Sequence, residues 1–99
     1  MTTKGEILEF LTRNKQYFRD QFGIVKIGLF GSYAKDEQTD GSDIDLIVEF
    51  AKNTPNLFDV KNELKNYIKE KFNIQVDIAR EKYLKPIYRD SILKETIYV

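Results

Sequence analysis

The chain contains no cysteine and no histidine. Without cysteine there are no disulfides and no thiol chemistry. Without histidine, Ser-His and Cys-His catalysis are excluded, as are the usual zinc sites. Any catalysis falls to carboxylates, hydroxyls, amines or a bound hard metal. A surplus of either charge is also missing. Sixteen Lys and Arg stand against 16 Asp and Glu, so bulk electrostatics argue neither for direct nucleic-acid binding nor for a membrane surface. The basic residues are interspersed with acidic ones, the pattern of a solvated surface. No apolar run is long enough to cross a bilayer. The opening MTTKGEILEF has no signal-peptide apolar region, and a cytoplasmic protein is expected. No repeat or low-complexity segment is visible. A chain of 99 residues implies one domain, 1–99, with one core and no room for a second, substrate-holding domain.

What is present is periodic. Thr3 and Glu6 form a capping-box pattern. Ile7, Leu8, Leu11, Phe18 and Phe22 then fall mostly at helical spacing, interrupted at Asn14 and Lys15. This predicts a helix over about 4–21, closed by Gly23. Val25, Ile27 and Leu29 alternate, predicting a first strand over 24–30. GSYAKDE is expected to open a short helix just after Gly31, and QTDGS to turn. Ile44, Leu46, Val48 and Phe50 alternate in a second strand, 43–50. Thr54 as N-cap with Pro55 at N1 predicts a helix from 55 to about 72, its apolar face Leu57, Val60, Leu64, Ile68 and Phe72. Ile74, Val76 and Ile78 make a third strand, and a last helix starts near Pro86. The final residues read equally as helix, strand or frayed end. The order is α-β-α-β-α-β-α, an α+β fold with a small mixed sheet of three or slightly more strands flanked by helices. The first two strands are antiparallel, because their connection is too short for a full crossover.

The second strand has an anomaly. Opposite its apolar face stand Asp43 and Asp45, two like charges one pleat apart, roughly 6–7 Å along the strand. An antiparallel first strand brings Gly31-Ser32 beside them. Asp77 is an acidic residue inside the third predicted strand, with an apolar face behind it. Three converging carboxylates repel one another unless something positive sits among them. With oxygen ligands only, the natural occupant is Mg²⁺ or Mn²⁺. Such an ion keeps positions open for substrate phosphates. Gly31 lets a phosphate approach the backbone, while the Ser32 hydroxyl and nearby N–H groups donate to it at a helix N-terminus. The chemistry this suits is phosphoryl or nucleotidyl transfer.

The spacing of GS, ten residues, then DID resembles the signature of the polymerase-β-like nucleotidyltransferase superfamily. The run IGLFGSYAKDEQTDGSDIDLIVEF is similar to the minimal nucleotidyltransferase (MNT) antitoxins that accompany HEPN-domain toxins, and the likeness covers nearly the whole chain. It implies metal-binding and catalytic roles for Asp43, Asp45 and Asp77, and nucleotide binding by Gly31 and Ser32. It implies ATP as substrate, and a HEPN ribonuclease toxin as partner in a hetero-oligomer, silenced when AMP is placed on a tyrosine. The family tends to carry arginine where this chain has Lys35, which keeps the charge but not bidentate phosphate binding. Two other readings stand beside this one. In the first, a non-catalytic antitoxin neutralises by covering its toxin; in the second, the nucleotide is transferred to RNA or a small molecule.

The remaining features read as structural. Asp40 is a turn former, Tyr17 and Tyr33 pack, and KNELKNYIKEK is a solvated helix face. The tail Ile97, Tyr98 and Val99 either packs on this domain or serves a partner.

Overall fold

The computed structural model describes residues 1–99. The leading apolar stripe folds as two helices, not one: α1, Lys4–Arg13, and α2, Lys15–Phe22. Thr3 caps α1, its hydroxyl oxygen accepting the Glu6 N–H at 3.2 Å. The Glu6 carboxylate accepts from that same hydroxyl. The break is Asn14. Its side-chain amide donates to the Phe10 carbonyl at 2.8 Å, closing α1, and its Oδ1 accepts the Tyr67 hydroxyl at 3.2 Å. The residue that interrupts the stripe is therefore a junction between three helices. Gly23, at φ 69°, ends α2 in the left-handed conformation expected of it.

Four strands form one sheet in the order β3-β2-β1-β4. Strand β1, Ile24–Phe30, pairs antiparallel with β2, Ile44–Phe50. Helix α3, Leu57–Phe72, carries the chain across to β3, Val76–Ala79, which lies parallel to β2. Helix α4, Pro86–Glu95, then delivers β4, Ile97–Tyr98, antiparallel to β1. The ambiguous tail is thus the fourth strand. No helix is long and apolar enough to cross a membrane.

Four expectations are corrected here. Val25 is exposed, because a register shift between Ile24 and Lys26 turns Ile24 into the core instead. Thr54 is not a helix cap. Its hydroxyl donates back to the Ala51 carbonyl at 2.7 Å, and α3 begins only after Asn56, itself at φ 54°. The third strand starts at Val76, not Ile74. No helix follows Gly31. The Glu37 N–H returns to the Ser32 carbonyl at 2.9 Å and Asp36 sits at φ 57°, so the segment coils into turns that cannot propagate a right-handed helix.

One sheet face is apolar. Leu29, Ile44, Leu46, Val48 and Val76 are fully buried there against Ile7, Leu11, Phe18, Leu64 and Ile68 of the first three helices. Each such side chain contributes about 1.5–3 kcal/mol relative to exposure. A scaffold with this many can carry a few kcal/mol of charge repulsion on its other face.

Candidate active site

The parallel pairing of β2 with β3 sets Asp45 directly beside Asp77. Both point away from the core, on strands about 4.8 Å apart. On its other side Asp45 is paired with Phe30, the last residue of β1. The next residue, Gly31, is at φ 78°, and an added Cβ would run into the Asp45 carboxylate. The Asp45 carboxylate and the positive φ each call for glycine at this position. Ser32 begins the turns that follow. Asp43 lies one residue before β2, where the Ser42 hydroxyl accepts the Thr39 N–H at 2.9 Å and shapes the approach. Gly31, Ser32, Asp43, Asp45 and Asp77 therefore meet at one end of the sheet.

The electrostatics of this corner are strained. Asp45 is half-buried, and its pKa is pushed up to about 6. Loss of solvent is the main cause, followed by the negative charges of Asp77, Asp43 and Glu95. Tyr33, buried under the turn, has its pKa raised by burial and then by Asp40 and Asp43, which fits its packing role. Asp77 is exposed. The carboxylates do not draw together into a preset three-ligand cage. The donor set is all oxygen and excess negative charge destabilises it, so it suits a hard divalent cation.

One residue here is not marked by the sequence as part of the site. Glu95, at the end of α4, accepts the Gly31 N–H on Oε1 at 3.1 Å. Its Oε2 lies 3.4 Å from Lys35 Nζ. Glu95 is 64 positions from Gly31, and only the β1–β4 pairing brings it in. No local pattern in ILKETIYV announces it. The turn after Gly31 is thus lined by a carboxylate cluster, one lysine and backbone donors, a constellation able to receive an anion carrying its own cations.

The profile of the family described as nucleotidyltransferase domain matches residues 10–99. The protein adenylyltransferase MntA of Thermococcus cleftensis is 35% identical over 99 residues, covering 100% of this chain and 98% of that one. A solved structure provisionally described as a minimal nucleotidyltransferase superposes with a TM-score of 0.76 at 28% identity, over 97% of this chain and 95% of the other. A toxin-antitoxin crystal structure with AMP-PNP shares the fold, with a TM-score of 0.66 at 22% identity over 98% of this chain and 72% of that one. With its carboxylate-bearing strand pair, its glycine-serine turn and a family match over nearly its whole length, the chain belongs to the nucleotidyltransferase domain family.

Proposed function

We propose that this protein transfers AMP from ATP to a hydroxyl of a partner protein, and that the partner is a HEPN-domain ribonuclease toxin neutralised by the modification, on a tyrosine. The observation that carries the reading is the side-by-side placement of Asp45 and Asp77 next to the Gly31-Ser32 turn. In the transfer, the acceptor oxygen attacks the α-phosphorus in line. The bond from that phosphorus to the β-bridging oxygen breaks, and pyrophosphate leaves. Asp77, the most exposed of the three aspartates, takes the acceptor proton. Gly31 and Ser32 hold the β- and γ-phosphates through N–H and hydroxyl donors. Asp43, Asp45 and Asp77 are the ligands that would hold Mg²⁺, or Mn²⁺ in its place, which when bound supplies charge neutralisation at the triphosphate.

A protein acceptor is supported by a relative of matching length. The similar MntA, matched over 98% of its length, is named a protein adenylyltransferase. The test incubates the protein with ATP labelled on the α-phosphate, Mg²⁺, and in turn a HEPN-domain toxin, RNA and small-molecule alcohols. Label on a toxin tyrosine is the expected result. Label on RNA or on an alcohol alone would replace the acceptor, and neutralisation without label would leave a covering antitoxin.

A further inference from the structure

The Glu95 carboxylate spans two groups of the turn after β1. Oε1 takes the Gly31 N–H at 3.1 Å, and Oε2 faces Lys35 Nζ at 3.4 Å. A carboxylate in that position makes the contacts of a phosphate oxygen pair: one backbone donor and one cation.

It is held there against opposition. Glu95 closes α4, where the helix dipole presents its negative end. It is also among the charges that disfavour ionised Asp45. In its favour are one charge-assisted hydrogen bond and an ion pair whose lysine is half-exposed, a contact that solvent weakens. The backbone around it is better anchored than the side chain. Thr96 Oγ1 donates to the Ile92 carbonyl at 2.7 Å, Ile97 and Tyr98 pair with Leu29 and Gly28, and the Val99 N–H reaches the Ile27 carbonyl at 3.1 Å. The movable part is the Glu95 side chain.

Resting on the nucleotide role given above to Gly31 and Ser32, we propose that Glu95 is a built-in competitor for the triphosphate. It occupies the Gly31 N–H and engages Lys35 until the nucleotide displaces it, and displacement hands both groups to the phosphates. A triphosphate arriving with its own divalent cation offsets the carboxylate cluster, whereas Glu95 only adds to it. The exchange therefore runs toward nucleotide at sufficient concentration. The closed turn lowers apparent affinity by the fraction of molecules in which Glu95 is released. Glu95 sets the nucleotide concentration at which the enzyme engages.

The experiment measures binding of a non-hydrolysable ATP analogue with MgCl₂ to the full chain by calorimetry, for wild type, Glu95→Gln and Glu95→Asp. Melting curves confirm that each variant is folded. Glu95→Asp is the deciding variant. It keeps the charge but is one methylene too short to bridge Gly31 and Lys35. Both variants are expected to bind about fivefold tighter or more, with KM for ATP falling in step. Tightening by Glu95→Gln alone would reduce the effect to long-range charge and overturn the proposal. Weakening by Glu95→Gln would make Glu95 a supporting residue of the site, and also overturn it. No binding by wild type or either variant would remove the nucleotide reading itself, and the competitor with it. Binding by wild type with unchanged variants would remove only the competitor.

Discussion

Gly31 and Asp45 occupy one another's space: any side chain on Gly31 would enter the Asp45 carboxylate. The backbone at Gly31 is at φ 78°, so alanine there meets strain and collision together. Gly31→Ala is expected to cost about 1–3 kcal/mol, seen as a fall in Tm of roughly 4–8 °C per kcal/mol for a domain this size. Part of the cost belongs to the carboxylate, so it should shrink in an Asp45→Ala background. A double-mutant cycle by thermal melting checks this. Strict additivity would mean that the two residues do not press on each other.

The raised pKa of Asp45 predicts a pH signature in metal-free protein. Its folded value is about 6 against an ordinary 3.8. Below pH 3.8 both states are protonated and the group contributes nothing. Between 3.8 and about 6 the folded state keeps a proton that the unfolded state has released, so stability falls as pH rises. Above 6 the full penalty is in place. Asp45→Asn removes this slope. With a chelator present, its stability at pH 7 should equal or exceed that of wild type. Denaturant unfolding of both proteins at pH 4, 5, 6 and 7 makes the comparison. A wild-type curve parallel to the mutant's across that window would refute the assignment. Added Mg²⁺ and nucleotide should raise the Tm of wild type by linkage, and that of the mutant much less.

The carboxylate pair and the glycine-serine turn were legible because they depend on short-range rules. Alternation along 43–50 separates Asp45 from Leu46, and the short connection makes β1 and β2 antiparallel. Glu95 was not legible, since its place depends on two residues of β4 finding β1. The interval after Gly31 departs from its helical pattern for a different reason. Its residues suit a helix, but Asp36 in the left-handed region and the Glu37-to-Ser32 bond close it early. Val25 failed through the register shift at Ile24, which period-two reading cannot foresee. Asn14 was visible as an interruption; that it joins two helices and holds Tyr67 was not.

The seam between β1 and β4 gives a third expectation. A Cβ at Gly28 would meet Thr96 Cγ2 at 2.7 Å and Tyr98 Cδ1 at 2.8 Å. Gly28→Val should therefore lift β4 from the sheet, at an overpacking cost of about 1–3 kcal/mol. Hydrogen exchange reads this locally. The Val99 amide, bonded to the Ile27 carbonyl, should lose protection first, while the β2 amides facing β3 keep theirs. Unchanged exchange at Val99 would show that the strand accommodates the side chain and that the seam is looser than its contacts imply.

Asp77→Asn separates a catalyst from a cover. The change is nearly isosteric and Asp77 is exposed, outside the core, so the surface offered to a partner stays close to normal. It removes a carboxylate from beside Asp45, and with it what the proposed function takes to be a metal ligand and the group that accepts the acceptor proton. AMP transfer should fall by about 10²-fold or more, the size associated with losing one positioned acid–base group. Complex formation with the proposed toxin partner should persist, and that partner's ribonuclease activity should return. All three are measured on one preparation: co-elution of the complex, incorporation of labelled AMP, and cleavage of RNA by the toxin. Neutralisation follows modification if both fail together while the complex still forms. If the complex forms, no label is incorporated and the toxin stays silent, then covering alone neutralises, and the carboxylates at the end of β2 and β3 serve something other than the antitoxin effect.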